Sequence, residues 1–195
     1  MISHVVFKKD YRCFKEGERI DFRPGVNLLV GDQGSGKSTL LEAMIGCSAS
    51  RNDRPARERL SIVPVDGVER LSLKYFDFEQ MNPRVQSAFA EREGAFMFQL
   101  MSKFRSHGET VLMLVEGLPN PQVALLDEPD ASLSPRSAHR LAAVLRERQE
   151  KQQLLVAVHN PIVIAAFEDV LSLEHRRWMP AQEFLESQSR ARENP

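Results

Sequence analysis

Short runs of aliphatic and β-branched residues alternate along the chain with longer stretches whose apolar positions recur at helical spacing. The run Val26–Val30 ends in glycine and predicts a buried strand. Residues 71–78, 122–126 and 154–158 read the same way, with 170–173 as a shorter strand. Ser134-Pro135 predicts a helix start, with serine at the N-cap and proline in the first turn. Ala138, Leu141, Ala142 and Leu145 then share one face, and Arg146, Arg148 and Lys151 gather near the end, where the helix dipole favours cations. Strands alternating with helices imply an α/β fold, a mostly parallel sheet flanked by helices. Residues 83–104 and 110–118 interrupt that alternation with two helical stretches. They predict a small inserted helical lobe. The expected organisation is one domain over 1–195, with a sheet lobe at about 1–80 and 121–186, a helical lobe at about 81–120 and a fraying polar tail at 187–195. No internal repeat or low-complexity segment interrupts it.

Composition narrows the class. The chain has 195 residues, 42% hydrophobic and 27% charged, which excludes wholesale disorder. A domain of this size buries on the order of 70% of its unfolded surface and needs no staples. With 26 basic and 27 acidic residues the net charge is −1, which excludes a surface-wide field for nucleic acid. A local patch remains open: Arg51, Arg54, Arg57 and Arg59 surround Pro55, although a solvated charged loop is the plainer reading. Cys13 and Cys47 stand beside apolar residues and outside any metal-ligand spacing, and read as buried free thiols in a reducing compartment. The first residues carry no apolar segment of signal-peptide length, and the longest apolar runs fall far short of the ~20 residues that cross a bilayer. The expected location is cytoplasmic, without direct membrane insertion.

The chemistry begins at Gly31-Asp32-Gln33-Gly34-Ser35-Gly36-Lys37-Ser38, a GxxxxGKS pattern followed by Thr39. It follows a predicted strand and opens a helix containing Leu40, Leu41, Met44 and Ile45, the context in which backbone N–H groups turn inward around phosphates. Lys37 would reach the β- and γ-phosphates and the Ser38 hydroxyl would ligate Mg²⁺. A second acidic site lies at Val123-Ala124-Leu125-Leu126-Asp127-Glu128-Pro129-Asp130. The four apolar residues put Asp127 at the end of a buried strand, where it can hold Mg²⁺ through water. Glu128 can then act as general base on an attacking water. His159 follows the next apolar run, 31 residues after Glu128. Adjacent parallel strands would bring it to the same sheet edge, where its imidazole could donate to the γ-phosphate.

Gly31–Ser38, residues 125–130 and His159, in this order, look like the nucleotide-binding domain of ABC-type ATPases, and the resemblance covers nearly the whole chain. It implies ATP and Mg²⁺ as ligands and a head-to-tail homodimer in which a signature loop of the opposite copy closes on the γ-phosphate. Ser106-His107-Gly108-Glu109 resembles that loop, keeping the serine and one glycine, so Ser106 and Gly108 are the implied contacts. The same segment also reads as a turn opening the following helix, with Ser106 as its cap. The family's glutamine at metal and water is matched by Gln80, with Glu79 as rival. Ala131-Ser132-Leu133-Ser134 resembles the D-loop through which the two copies of such a dimer touch, with Ser134 in place of the usual aspartate.

The front of the chain, Asp10-Tyr11-Arg12-Cys13-Phe14, is similar to RecF/SMC-type heads, whose arginine approaches the nucleotide phosphates. Arg12 is the implied phosphate ligand, and Tyr11 or Phe14 faces either adenine or the core. Only 68 residues separate Lys37 from Arg105, which leaves no room for a long coiled-coil arm. The function implied is an ATP-gated dimeric clamp in DNA maintenance, recombination or defence, beside a nuclease or other effector and with DNA as a further partner. Two alternatives stay open. One is the nucleotide-binding subunit of a membrane transporter; the other is a regulatory ATPase that gates a toxin or other effector without DNA.

Overall fold

The computed structural model describes residues 1–46, 60–64, 73–78, 107–117 and 121–193. Along them the chain runs β1 (Ile2–Phe7), β2 (Arg19–Asp21), β3 (Val26–Val30), α1 (Lys37–Gly46), β4 (Leu60–Pro64), β5 (Leu73–Asp77) and α2 (His107–Gly117). It continues through β6 (Val123–Asp127), α3 (Pro135–Arg148), β7 (Gln153–Ala157), α4 (Pro161–Ala165), β8 (Asp169–Ser172), β9 (Arg177–Pro180) and α5 (Ala181–Glu193). A six-stranded sheet has the order β5-β6-β7-β3-β8-β9, parallel throughout except for the antiparallel β8–β9 edge. A three-stranded antiparallel sheet, β2-β1-β4, packs beside it.

The alternation of side chains along each central strand divides the interior into two cores. Leu28, Val30, Ala124, Leu126, Leu154 and Val156 point to one face, where Val111 and Val115 of α2, Leu141 and Leu145 of α3 and Phe184 of α5 cover them. Leu29, Leu125, Leu155 and Ala157 point to the other, against Leu40, Leu41 and Met44 of α1 and Val5 and Phe7 of β1. Helix α1 lies between the central sheet and the antiparallel one and is buried on nearly all sides. That position accounts for apolar residues running around the helix rather than along one stripe. Helix α3 keeps an outward polar face. It begins as expected, with Ser134 Oγ accepting the N–H of Ser137 and Pro135 at the first position.

The strands expected from the apolar runs are present, Val26–Val30 with the expected bounds and the others with ends shifted by a residue or two, and 71–72 lie outside the described residues. The antiparallel sheet was not legible in the pattern, because β2 is only three residues long and β1 is secured by partners far along the chain. The helix expected at 110–118 begins earlier, at His107. Residues 187–193, expected to fray, continue α5. Cys13, expected buried, is exposed, since the short Tyr11–Phe14 bridge turns Phe14 inward against Phe7 and leaves the thiol outside. Cys47, the arginine-bearing loop 51–59 and the stretch 83–104 lie outside the described residues.

One buried amide joins the two sheets. Gln153, with no exposed surface, accepts the N–H of Ile2 at 2.7 Å and donates Nε2 to the carbonyls of Ile2 and Arg23 at 2.8 and 3.0 Å. It gives the start of β1 the pairing that a ladder would otherwise supply. Gln153→Leu removes these three hydrogen bonds and leaves the buried Ile2 N–H without its partner, while Arg23 O keeps the Asn27 amide, and is expected to destabilise the fold by about 2 kcal/mol. Urea unfolding of the two proteins checks this, and a loss below about 1 kcal/mol would show that the amide is not the link.

Candidate nucleotide-binding site

The register of the parallel strands positions the site. Leu29, Ala157, Asp127 and Asp77 are successive partners across β3, β7, β6 and β5, one row running across the sheet. The chain leaves β3, β6 and β7 at this one edge, with Gly31, Glu128 and His159 just past it.

After β3 the backbone turns through Gly31, Gly34 and Gly36, with φ of +141°, +86° and +102°. These values bend the peptide groups around a concavity at the start of α1. At Gly36 a Cβ would lie 2.5 Å from Cys13 Sγ and 2.8 Å from Phe14 Cζ, so the loop and the front of the chain touch where only glycine fits. Asp32, Gln33 and Gly34 are exposed along the loop, and Thr39 is buried in the first turn of α1. Lys37 is buried and folds back, donating Nζ to the carbonyls of Gly31 and Asp32 at 2.7 and 3.0 Å and lying 3.4 Å from Ser35 Oγ. Burial lowers the pKa of its ammonium, while Glu128, Asp127 and Asp32 act to raise it.

Asp127 is held from both sides. Ser38 Oγ donates to Oδ1 at 3.0 Å, and the Tyr75 hydroxyl, reaching over from β5, donates to Oδ2 at 2.8 Å. Burial raises the Asp127 carboxyl above its usual range, and the two hydrogen bonds oppose that shift. Burial, and then the charge of Asp127, push the Tyr75 phenol far above its ordinary value, so it stays a donor. The next residue, Glu128, takes a left-handed conformation with φ +52° while its N–H donates to Ala157 O. That turn directs its half-exposed carboxylate to His159 Nε2, 3.2 Å from Oε1. Asp130 is buried beneath them, its Oδ2 accepting the N–H groups of His159 and Asn160. Burial raises its carboxyl too, against those two bonds. A cleft of about 480 Å³ runs past Asp32, Gln33, Glu128, Asp130, Ala131, Ser132 and His159.

Two arginines flank the loop. Arg12 reaches Thr39 Oγ1 at 3.0 Å and Glu42 at 3.1 Å, placing its guanidinium at the first turn of α1, where phosphates would gather. Phe14 belongs to the core, stacked on Phe7 at 4.3 Å, so of the two aromatics only Tyr11 remains near the surface. Arg176, in the turn between β8 and β9, donates to Ser35 O and Cys13 O at 3.1 Å each and pairs with Glu18 at 2.7 Å. Its guanidinium also lies 4.4 Å over the Phe14 ring. Neither Arg176 nor Tyr75 was visible as a site residue in the sequence, because their partners lie 141 and 52 residues away. Gly108 is buried at the start of α2, where a Cβ would come 3.1 Å from Leu133 Cδ2. Ser106, Gln80 and Glu79 lie outside the described residues.

A family model described as an AAA domain matches residues 9–117. The zinc import ATP-binding protein ZnuC of Halorhodospira halophila is 30% identical over 182 residues, covering 85% of this chain and 70% of that protein. Among solved structures, cbiO1 from Clostridium perfringens, part of the ABC transporter complex cbiONQ, superposes with a TM-score of 0.56 at 17% identity over 98% of this chain and 94% of its own. The SMC head domain from Thermotoga maritima superposes at 0.54 and 20% identity, over 88% of this chain and 94% of its own. At those identities the two structures speak for the fold alone.

Arg176 is the tie between the phosphate loop, the front of the chain and the β8–β9 turn. Arg176→Ala is expected to weaken ATP binding about tenfold, the equivalent of one charge-assisted hydrogen bond. Titration with a fluorescent ATP analogue checks this, and unchanged affinity would show that the loop holds its shape without the tie.

Proposed function

Starting from a chain that belongs to the ABC-type P-loop ATPases, enzymes that hydrolyse ATP, we propose an ATP-gated clamp in which two copies close head to tail over two nucleotides. One observation carries this reading: Lys37, the Ser38–Asp127 pair and the Glu128–His159 pair stand at one sheet edge, beside a cleft open to solvent. Glycine-lined N–H groups and Lys37 would cradle the β- and γ-phosphates, with Arg12 and Thr39 beside the phosphate nearer the ribose.

The residues fit Mg²⁺. Ser38 Oγ and Asp127 Oδ1 are hard oxygen donors 3.0 Å apart. Among the described residues no group of three or more His, Cys, Asp or Glu side chains could hold a metal. A site of two protein oxygens completed by phosphates and water is the kind Mg²⁺ uses. When bound there, the ion would neutralise charge on the phosphate oxygens. Glu128 is the general base: its carboxylate would accept a proton from water as that water attacks the γ-phosphorus. His159, 3.2 Å from Oε1, would hold the carboxylate in line and offer an N–H in its Nε2-protonated form. Gln80 is assigned to water and metal. Ser106 and Gly108 of the second copy are assigned to the γ-phosphate, with the Gly108 backbone as its donor.

Closing two copies on ATP and releasing them after hydrolysis turns binding energy into movement. The ZnuC likeness supports a transporter subunit over a DNA-maintenance clamp, so the partner we assign is a membrane permease at the cytoplasmic face. Among the described residues no helix is long and apolar enough to cross a membrane, so the described part would work alongside such a permease. The likeness of the Arg12-bearing front of the chain to RecF/SMC-type heads motivates a second reading, a DNA-associated clamp acting with a nuclease.

Glu128→Gln is expected to retain ATP binding and to hydrolyse at least about 100-fold more slowly. With ATP and Mg²⁺ it should run as a dimer in size-exclusion chromatography with light scattering. Unchanged turnover would remove Glu128 as base, and a monomer in ATP would sink the clamp. Tagged and trapped in this state, the protein should recover an integral membrane protein from cells; recovery of DNA with a nuclease would transfer the assignment to the second reading.

A further inference from the structure

Asp130 lies in the motif that carries Asp127 and Glu128, yet neither metal nor nucleotide chemistry gives it a task. It is 4% exposed, and its side chain is hydrogen-bonded to main-chain N–H groups just past β7. Oδ2 accepts from His159 N at 2.7 Å and from Asn160 N. Oδ1 is buried without a hydrogen-bond partner among the described residues. An acceptor left in this state is costly, so an acidic side chain is an expensive way to satisfy two N–H groups.

Helix capping does not explain the expense. Helix α4 already has its cap, since Asn160 Oδ1 accepts the N–H of Ile162 at 2.9 Å, and Pro161 needs no partner. What Asp130 fixes is the peptide on which the His159 ring stands. Its own turn is tied to Glu128 from the other side: Ala131 N donates to Glu128 O and Leu133 N to Asp130 O, with left-handed backbone at Glu128 and Ser132. The carboxylate of Asp130 therefore joins the main chain carrying Glu128 to the main chain carrying His159. The two functional side chains then meet 3.2 Å apart above it.

We propose that Asp130 is a positioning residue for hydrolysis, fixing the His159 ring against the Glu128 carboxylate through the backbone bonds of residues 159 and 160. This rests on the ATPase reading given above. The role is separate from nucleotide binding, because Asp130 makes no hydrogen bond to the phosphate loop or to Lys37. It acts through His159, so its effect requires His159 to be present.

The test is a double-mutant cycle between Asp130 and His159 on the full chain, reading steady-state ATP hydrolysis and binding of a fluorescent ATP analogue. Asp130→Ala is expected to lower kcat about 10- to 100-fold, the scale of a misplaced catalytic group, with KM and analogue affinity held within about twofold. Asp130→Asn keeps a carbonyl for the two N–H groups and should retain kcat within about threefold. In the His159→Ala background, Asp130→Ala should add less than a twofold further loss. A full, additive loss in that background would overturn the proposal, as would a loss of ATP affinity matching the loss of kcat, or an asparagine variant as impaired as alanine. If Asp130→Ala does not fold by circular dichroism, Asp130→Ser, with one short acceptor, carries the same cycle. Failure of the ATPase reading would look different: Glu128→Gln and His159→Ala would then hydrolyse ATP at the parental rate, whatever Asp130 does.

Discussion

The in-register parallel pairing of β3, β7 and β6 is the constraint on which the site depends. Side chains on these strands are buried on both faces, and slipping one strand by a single residue would exchange the two cores. The register is therefore set by packing before any chemistry is considered. With Leu29, Ala157 and Asp127 in one row, the residues that follow have nowhere to go except the same edge. The phosphate loop, the acidic pair and His159 are thus assembled by the cores beneath them. This explains how short sequence motifs separated by about a hundred residues can act as one site.

Backbone strain gathers at that edge. The described non-glycine residues with left-handed φ are Arg12, Glu128, Ser132 and Arg176, and each lies at the phosphate loop or in the acidic turn. A left-handed residue with a side chain is disfavoured and persists only where its surroundings over-determine it. Each of the four is so determined. Arg12 is tied to Thr39 and Glu42, Glu128 to Ala157 O, and Arg176 to Ser35, Cys13 and Glu18, while Ser132 sits between the hydrogen-bonded turns of Glu128 and Asp130. Three of the strained positions place a charged side chain beside the phosphate loop or the acidic turn: Arg12 at Thr39, Arg176 at Ser35 O and Glu128 at His159.

Legibility in the sequence followed the range of the interaction. Strands β3, β6 and β7 announce themselves because strands buried on both faces are continuous apolar runs, and α3 does because Ser134-Pro135 and a clear apolar stripe mark it locally. The phosphate loop and the acidic pair were readable for the same reason: their residues are contiguous. Strand β1 was not, since its order comes from pairing with β4 and from the Gln153 amide 151 residues on. Tyr75 and Arg176 read as ordinary strand and turn residues until the fold brings Asp127 and Ser35 to them. Cys13 misled because its apolar neighbour Phe14 is the one that turns inward.

The contact between Gly36 and the front of the chain bears on how such a domain can change. A Cβ at Gly36 would meet a sulfur at 2.5 Å and an aromatic carbon at 2.8 Å, so the phosphate loop cannot be altered there without moving Cys13 and Phe14. Phe14 in turn stacks on Phe7 of β1 and lies beneath the Arg176 guanidinium. The antiparallel sheet, the β8–β9 turn and the phosphate loop are consequently one packed unit. A nucleotide ordering the loop would stiffen that unit, and a partner pressing on the antiparallel sheet would reach the loop through Phe14. The Glu128–His159 pair stands apart from that unit, on the loops that follow β6 and β7. In the clamp proposed above, the two halves of the site would answer to different parts of the fold: nucleotide binding to the unit that packs Arg12, Arg176 and Phe14 against the phosphate loop, turnover to the loops that follow β6 and β7.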